Sequence, residues 1–217
     1  MNLRRWMALY REIERDFSFS REREVQARDM LSAILGDDFL KLGDIGNLIG
    51  SDVYVVGASP NLEREVEVIT ESYPIISADE ASVYLYEIGL TPTIVLTDLD
   101  GDVEKLAEIP AVFGIHAHGD NIHRLHLASR FIRRFGTTQI DPIWNVYNFG
   151  GFTDGDRCVF LSYYYGARIH MVGFDFDNPR EKLGKDMSIK RKKLKWARRL
   201  INELQAEGAS IIWESLK

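Results

Sequence analysis

A single cysteine stands among the 217 residues, so no internal disulfide can form. Cys158 fits a reducing compartment, and its neighbours Val159, Phe160 and Leu161 mark it as a buried, inert thiol. Long apolar runs are missing too. Val53-Tyr54-Val55-Val56 is far too short to span a bilayer, so no membrane partner is expected. Arg4 and Arg5 are not followed by an apolar stretch, which argues against a secretory signal and for a cytoplasmic protein. A basic excess is lacking as well: 27 Lys and Arg against 33 Asp and Glu leave a formal charge of −6, which argues against a general nucleic-acid binder. The chain contains no Walker A loop, no G-x-G-x-x-G, no internal repeat and no low-complexity tract.

What is present describes a globular chain, 45% hydrophobic and 28% charged, with room for one large core or a core and a small annex. Residues 1–50 read as helical. Trp6, Leu9, Tyr10, Ile13 and Phe17 follow the spacing of one apolar helix face. Ser20 is a candidate N-cap for a second helix through Val25, Met30, Leu31, Ile34 and Leu35 toward Gly36. Gly43, Gly46 and Gly50 then mark a loop. From Ser51 the pattern changes. Strands are expected at 52–56, 74–77, 93–96, 111–115, 145–147, 168–172 and 210–213, and helices at 61–70, 79–87, 102–108, 121–135, 154–165 and 189–207. This alternation predicts an α/β fold: a Rossmann-like, mainly parallel sheet with helices on both faces over residues 51–217, and an N-terminal helical annex over 1–50 packed on it.

In open parallel sheets ligands bind beyond the carboxyl ends of the strands, so those turns carry the functional reading. Gly57-Ala58-Ser59-Pro60-Asn61-Leu62 suits phosphate or nucleotide contact, with Ser59 as a cap and Pro60 in the first helical position, or a plain strand–helix turn. Thr97-Asp98-Leu99-Asp100-Gly101-Asp102 places two carboxylates at i and i+2, both facing one cleft if the chain stays extended. Such like charges crowd at a cost unless a cation joins them, and oxygen ligands without cysteine point to magnesium. Asp102 reads as the next helix cap. His116-Ala117-His118-Gly119-Asp120-Asn121 offers either a transition-metal site or polar contacts to a ligand, with Asp120 a further candidate for the metal. In Asn148-Phe149-Gly150-Gly151-Phe152-Thr153-Asp154-Gly155-Asp156, the glycines admit a ligand, Phe149 or Phe152 can stack on a flat heterocycle, and one aspartate caps a helix, with Asp154 preferred. Gly173-Phe174-Asp175-Phe176-Asp177 adds another carboxylate past a strand. The basic runs Lys185–Arg199 and Arg124–Arg134 are either solvated helix faces or attractors for a polyphosphate.

In this order the motifs resemble those of the archaeal-type 6-hydroxymethyl-7,8-dihydropterin diphosphokinases, which are distantly similar to thiamine diphosphokinases. The resemblance covers roughly residues 50–205 and includes Lys190-x-x-Lys193-Leu194. It implies transfer of diphosphate from ATP to the hydroxymethyl oxygen of a reduced pterin, with release of AMP. On that resemblance Asp98 and Asp100 hold Mg2+, with Asp120 the next ligand. Gly57, Ser59, Asn61, His116, His118, Asn121 and Lys190 contact the nucleotide, and Arg124 and Lys193 stabilise charge as AMP departs. Phe149, Gly151, Asp154 and Asp175 recognise the pterin. Small molecules are the expected partners, and exposed annex faces leave room for a homo-oligomer. Asp98-Leu99-Asp100-Gly101 also resembles the nucleophile motif of haloacid-dehalogenase-type phosphatases, but two βα units precede it and Asp102 follows it. The same turns would also serve a nucleotide-sugar glycosyltransferase or a non-catalytic nucleotide sensor.

Overall fold

A computed structural model describes residues 1–70, 72–179 and 186–214; Lys185, the first member of a basic run, lies outside them. The strands are β1 (Asp52–Val56), β2 (Ile75–Ala78), β3 (Ile94–Thr97), β4 (Val112–Ala117), β5 (Arg134–Thr138), β6 (Val146–Tyr147), β7 (Arg168–Val172) and β8 (Ile211–Trp213). Among the described residues they form one sheet in the order β6-β5-β4-β3-β2-β1-β7-β8, with every strand pair parallel. The winding reverses at β1, so the carboxyl ends of β1 and β7 flank a topological switch point.

Alternating side chains divide the core between the two faces of the sheet. Val53, Val55, Ile76, Ile94, Leu96, Ile169 and Met171 pack on one side with α7 (Asp154–Tyr164) and α8 (Met187–Ala206). Tyr54, Val56, Ile75, Val95, Phe113 and Ile115 pack on the other, against α4 (Leu62–Glu65), α5 (Asp79–Glu87) and α6 (Val103–Ala107). Burial on both faces explains why the strands read as unbroken apolar runs.

The N-terminal helices straddle this sheet. In α1 (Leu3–Phe17), Trp6, Leu9, Tyr10 and Ile13 join the first core, and the rings of Trp6 and Phe160 lie 5.6 Å apart. In α2 (Arg21–Leu35), Ala27, Leu31 and Leu35 join the opposite core. Ser20 caps α2 by accepting from the Arg23 amide. A short α3 (Leu42–Gly46) follows, with Ile45 buried in the first core.

All seven expected strands form, each within two residues of its expected ends. Two helical expectations fail. The stretch 121–135 is a 3₁₀ segment, Ile122–Arg130, followed by β5. Leu125, Ala128 and Phe131 are buried at a strict spacing of three, which matches the 3₁₀ period, and Gly136 lets Asn145 and Leu35 approach the strand closely. The stretch 61–70 keeps only α4 and one 3₁₀ turn, Val66–Val68, because Val66, Val68, Ile69 and Thr70 are β-branched. Ser59 does not cap α4; its Oγ accepts from the Asn61 amide instead, at 3.2 Å. Among the described residues no helix is long and apolar enough to cross a membrane.

Because α1 completes the core, Trp6→Ala should destabilise the whole protein by about 3–5 kcal/mol in a single urea transition. A separate early transition, with the main midpoint unchanged, would show instead that the helices are an independent unit.

Candidate active site

A cavity of about 430 Å³ opens over the carboxyl ends of the strands. Its floor is acidic, and each carboxylate is placed by local chain geometry. After β3, Thr97 Oγ1 accepts from the Leu99 amide at 2.8 Å and donates to Asp79 Oδ2 at 3.0 Å. The chain does not stay extended here. Leu99 takes a left-handed φ of 67° with its side chain fully buried, and Asp98 Oδ1 accepts from the Asp100 amide at 3.0 Å. Asp98 and Asp100 both line the cavity.

Asp79 is the first residue after β2 and is only 4% exposed. It packs on Gly101, where a Cβ would sit 2.6 Å from Asp79 Oδ1, so the turn after β3 requires glycine at that position. The third carboxylate, Asp154, opens α7 without capping it. The cap is a box of Thr153 and Asp156: Asp156 Oδ1 accepts from the Thr153 amide at 2.6 Å, and Oδ2 accepts from the Phe152 amide at 2.7 Å. Asp154 is thereby left facing the cavity.

Oxygens of Asp79, Asp98 and Asp154 all lie within 4.8 Å of one another. Arg157, one helical turn on, donates to Asp154 Oδ1 and to the Phe152 carbonyl, both at 2.7 Å. His118 Nδ1 accepts from the Asp120 amide at 3.3 Å, which leaves the ring proton on Nε2, 3.5 Å from Asp98 Oδ2. These neighbours separate the protonation of the three groups. Burial, then repulsion from Asp98, pushes the Asp79 carboxyl up to about 7. Burial followed by Asp98 likewise raises Asp154 well above the ordinary range. Burial also works against charge on Asp98, but the hydrogen bond from His118, with the charge of Arg157 behind, holds its carboxyl below the usual range. This close all-oxygen donor set has the chemistry that a hard divalent cation such as magnesium takes.

Facing the acidic floor, α8 supplies Lys190 and Lys193 to the cavity lining, with Lys193 Nζ 5.8 Å from the centre of the Phe152 ring. Phe19, Phe174 and Phe176 complete an aromatic wall. At the switch point Gly57 and Gly173 touch through their backbones: a Cβ on Gly57 would lie 2.8 Å from the Gly173 carbonyl oxygen. Buried Glu65 accepts from the Gly173 amide at 2.8 Å and fixes that turn.

The fold thus brings Gly57, Ser59, Asp98, Asp100, His118, Asp120, Asp154, Asp175, Lys190 and Lys193 to one cavity. Six further candidates lie behind its walls. Asn61 donates to Asp175 Oδ2 at 3.4 Å. His116 is enclosed within β4, 3.0 Å from Thr137 Oγ1, and burial lowers its pKa well below the ordinary value. Asn121 donates to the carbonyls of Asp98 and His116, tying the ends of β3 and β4 together. Arg124 donates to the Gly101 carbonyl at 3.2 Å. Phe149 packs edge-on against Tyr164 at 5.0 Å. Gly151 (φ 89°) backs onto Arg157, whose Cα would lie 2.5 Å from an added Cβ. The sequence pattern did not single out Asp79, Arg157 or Phe19. Asp79 obeys the strand-end rule that singled out Asp98, and Arg157 shares a helix face with Asp154; nothing in the pattern marks Phe19.

A doubly wound parallel sheet, with a carboxylate cluster and two lysines lining one cleft at the carboxyl ends of its strands, defines a Rossmann-like α/β protein. The family described as 6-hydroxymethylpterin diphosphokinase MptE-like matches residues 32–181. The 6-hydroxymethyl-7,8-dihydropterin pyrophosphokinase of Pyrococcus furiosus is 39% identical over 228 residues, covering 99% of each chain. The protein of the same name from Methanocaldococcus jannaschii is 33% identical, covering 94% of this chain and 96% of its own. Among solved structures, the MAf glycosyltransferase of Magnetospirillum magneticum is similar, with 18% identity and a TM-score of 0.49, over 70% of this chain and 30% of that one. The chain belongs to the 6-hydroxymethylpterin diphosphokinase MptE-like family.

The raised Asp79 carboxyl makes a testable claim about metal-free protein. Its folded pKa of about 7 exceeds its ordinary 3.8, so the folded state holds the extra proton between these values and stability falls as pH rises through that window. Asp79→Asn should therefore gain stability over wild type from about pH 4 to pH 7, levelling above, by on the order of a few kcal/mol. Urea unfolding in chelator measures it; a difference independent of pH would refute the assignment.

Proposed function

We propose that this protein transfers diphosphate from ATP to the hydroxymethyl oxygen of 6-hydroxymethyl-7,8-dihydropterin, with Mg2+ as cofactor and AMP as the second product. The observation that carries the reading is the Asp79–Asp98–Asp154 cluster facing Lys190 and Lys193 across one cavity, in a chain of this family. The acceptor is taken from the names of the relatives.

In this reaction the hydroxymethyl oxygen forms a bond to the β-phosphorus, and the bond from that phosphorus to the oxygen bridging to the α-phosphorus breaks. AMP leaves with the electron pair, and the hydroxyl proton passes to solvent. Alignment and charge stabilisation dominate such a step. Bound Mg2+ would supply neutralisation of the phosphate oxygens at the acidic floor. Asp79, Asp98 and Asp154 would hold it, while Asp100 and Asp120 extend the acidic wall. His118 keeps Asp98 ionised and oriented, and Arg157 orients Asp154. Lys190 and Lys193 face the cluster from α8 and receive the negative charge that gathers on the departing AMP. Gly57 and Ser59 line the switch point, where bare backbone can approach phosphate. Phe152 and Phe174 offer flat faces to the pterin ring, with Asp175 beside them for its amino edge.

Incubation with ATP, Mg2+ and the pterin should give pterin diphosphate and AMP in equal amounts, with thiamine unreacted in parallel. ADP or free phosphate in place of AMP would refute diphosphoryl transfer. Asp98→Asn should lose about 10²-fold or more in kcat. Mg2+ should raise the melting temperature of wild type but not of that variant; an equal rise in both would remove Asp98 from the metal site.

A further inference from the structure

Besides entering the two cores, the N-terminal helices grip the cavity itself. The loop between α1 and α2 crosses the carboxyl end of the sheet and presents Phe19 to the lining. Immediately beyond it, consecutive residues of α2 hold both backbone groups of Gly119. Arg23 donates to the Gly119 carbonyl from Nε at 3.0 Å and Nη2 at 2.6 Å. Glu24, only 2% exposed, accepts from the Gly119 amide at 3.0 Å through Oε1 and from Gln139 Nε2 at 2.9 Å through Oε2. The fit is close: a Cβ on Gly119 would come within 2.8 Å of Arg23 Cβ.

Both neighbours of Gly119, His118 and Asp120, line the cavity, as does Gln139. The conformation held by α2 is the one that brings the Asp120 amide to His118 Nδ1 and so directs Nε2–H toward Asp98. A surface helix face has no need of a buried carboxylate, since burying one without full compensation is costly. Here one oxygen of Glu24 holds the turn between two lining residues, His118 and Asp120, and the other holds a lining residue, Gln139.

We propose that Glu24, supported by Arg23, is a positioning residue for the reaction: it fixes the His118–Asp120 turn, and through His118 the orientation of Asp98. The inference rests on the diphosphokinase reading for its activity readout, but the geometry it describes is independent of the acceptor.

A double-mutant cycle tests it. Glu24→Ala should lower kcat tenfold or more and raise the Mg2+ concentration for half-maximal activity, with KM for the pterin changed less than twofold. In a His118→Ala background the same substitution should cost less than twofold in kcat, because the group it orients is gone. Equal losses in both backgrounds overturn the proposal, as a purely structural effect would be additive. Glu24→Gln, which can still accept from the Gly119 amide once the Gln139 amide reverses, should recover most of the activity. Arg23 is exposed, so Arg23→Ala provides a folded second variant: it should reproduce the kcat loss in milder form and with the same dependence on His118, and a loss that persists undiminished in the His118→Ala background overturns the proposal. A readout free of turnover is amide exchange in metal-free protein, where Gly119 should exchange at least tenfold faster in Glu24→Ala while β4 amides hold their rates; an unchanged Gly119 rate overturns the clamp. If wild type fails to act on the pterin at all, that exchange result and the Mg2+ dependence of the melting temperature in the same variants still decide the positioning claim.

Discussion

Three carboxylates held within 4.8 Å repel one another, and much of the architecture around them serves to contain that repulsion. Burial alone would protonate all three. Instead His118 and Arg157 keep Asp98 charged, while Asp79 and Asp154 take up the strain as raised affinity for a proton. A cation entering the cluster would relieve that repulsion. Each restraint comes from a different element: Thr97 on β3 holds Asp79, Arg157 on α7 holds Asp154, and the turn after β4 supplies His118. The left-handed turn at Leu99 belongs to the same set, since a buried leucine rarely adopts that conformation unless its surroundings impose it.

The alternation of apolar runs with amphipathic stretches was enough to read the α/β class and seven strands, because strands buried on both faces leave an unmistakable signal. β5 escaped because Leu125, Ala128 and Phe131 at steps of three, and Phe135 a step of four beyond, also fit one apolar helix face. The site was legible at the level of turns and less so at the level of side chains. Asp98 and Asp154 reach the cluster, while His116, Asn121 and Arg124, in equally promising turns, point into the fold and brace it. Which way a residue points just past a strand depends on the turn that follows; at Leu99 a left-handed residue, not an extended chain, leaves Asp98 and Asp100 lining the same cavity. Asp79 was hidden by its position at a helix start, where an aspartate needs no further explanation. Glu24 was hidden more thoroughly, since its partners lie 95 and 115 residues away.

Residues 1–35 are therefore not peripheral to the sheet. One helix on each face and a crossing loop between them make the segment a strap over the end of the sheet where the cavity opens. The same strap supplies Phe19 to the aromatic wall, both anchors of the His118 turn and part of each core. Change at the cavity and change in the core are consequently coupled, and a substitution in α2 need not touch a ligand to be felt at the acidic floor.

The docking of α1 onto α8 carries a consequence for how the protein is made. Arg5 pairs with Glu203, Glu12 with Arg199, and Asp16 with Trp196, so α1 finds these partners far along the sequence, in α8. The Arg5–Glu203 pair spans 198 positions. Closing so long a loop costs entropy before any contact repays it, and folds dominated by distant pairings assemble slowly. The apolar face of α1 also waits for distant partners: Trp6 donates to the Gln139 carbonyl and packs on Phe160, so it stays uncovered until those segments have been made.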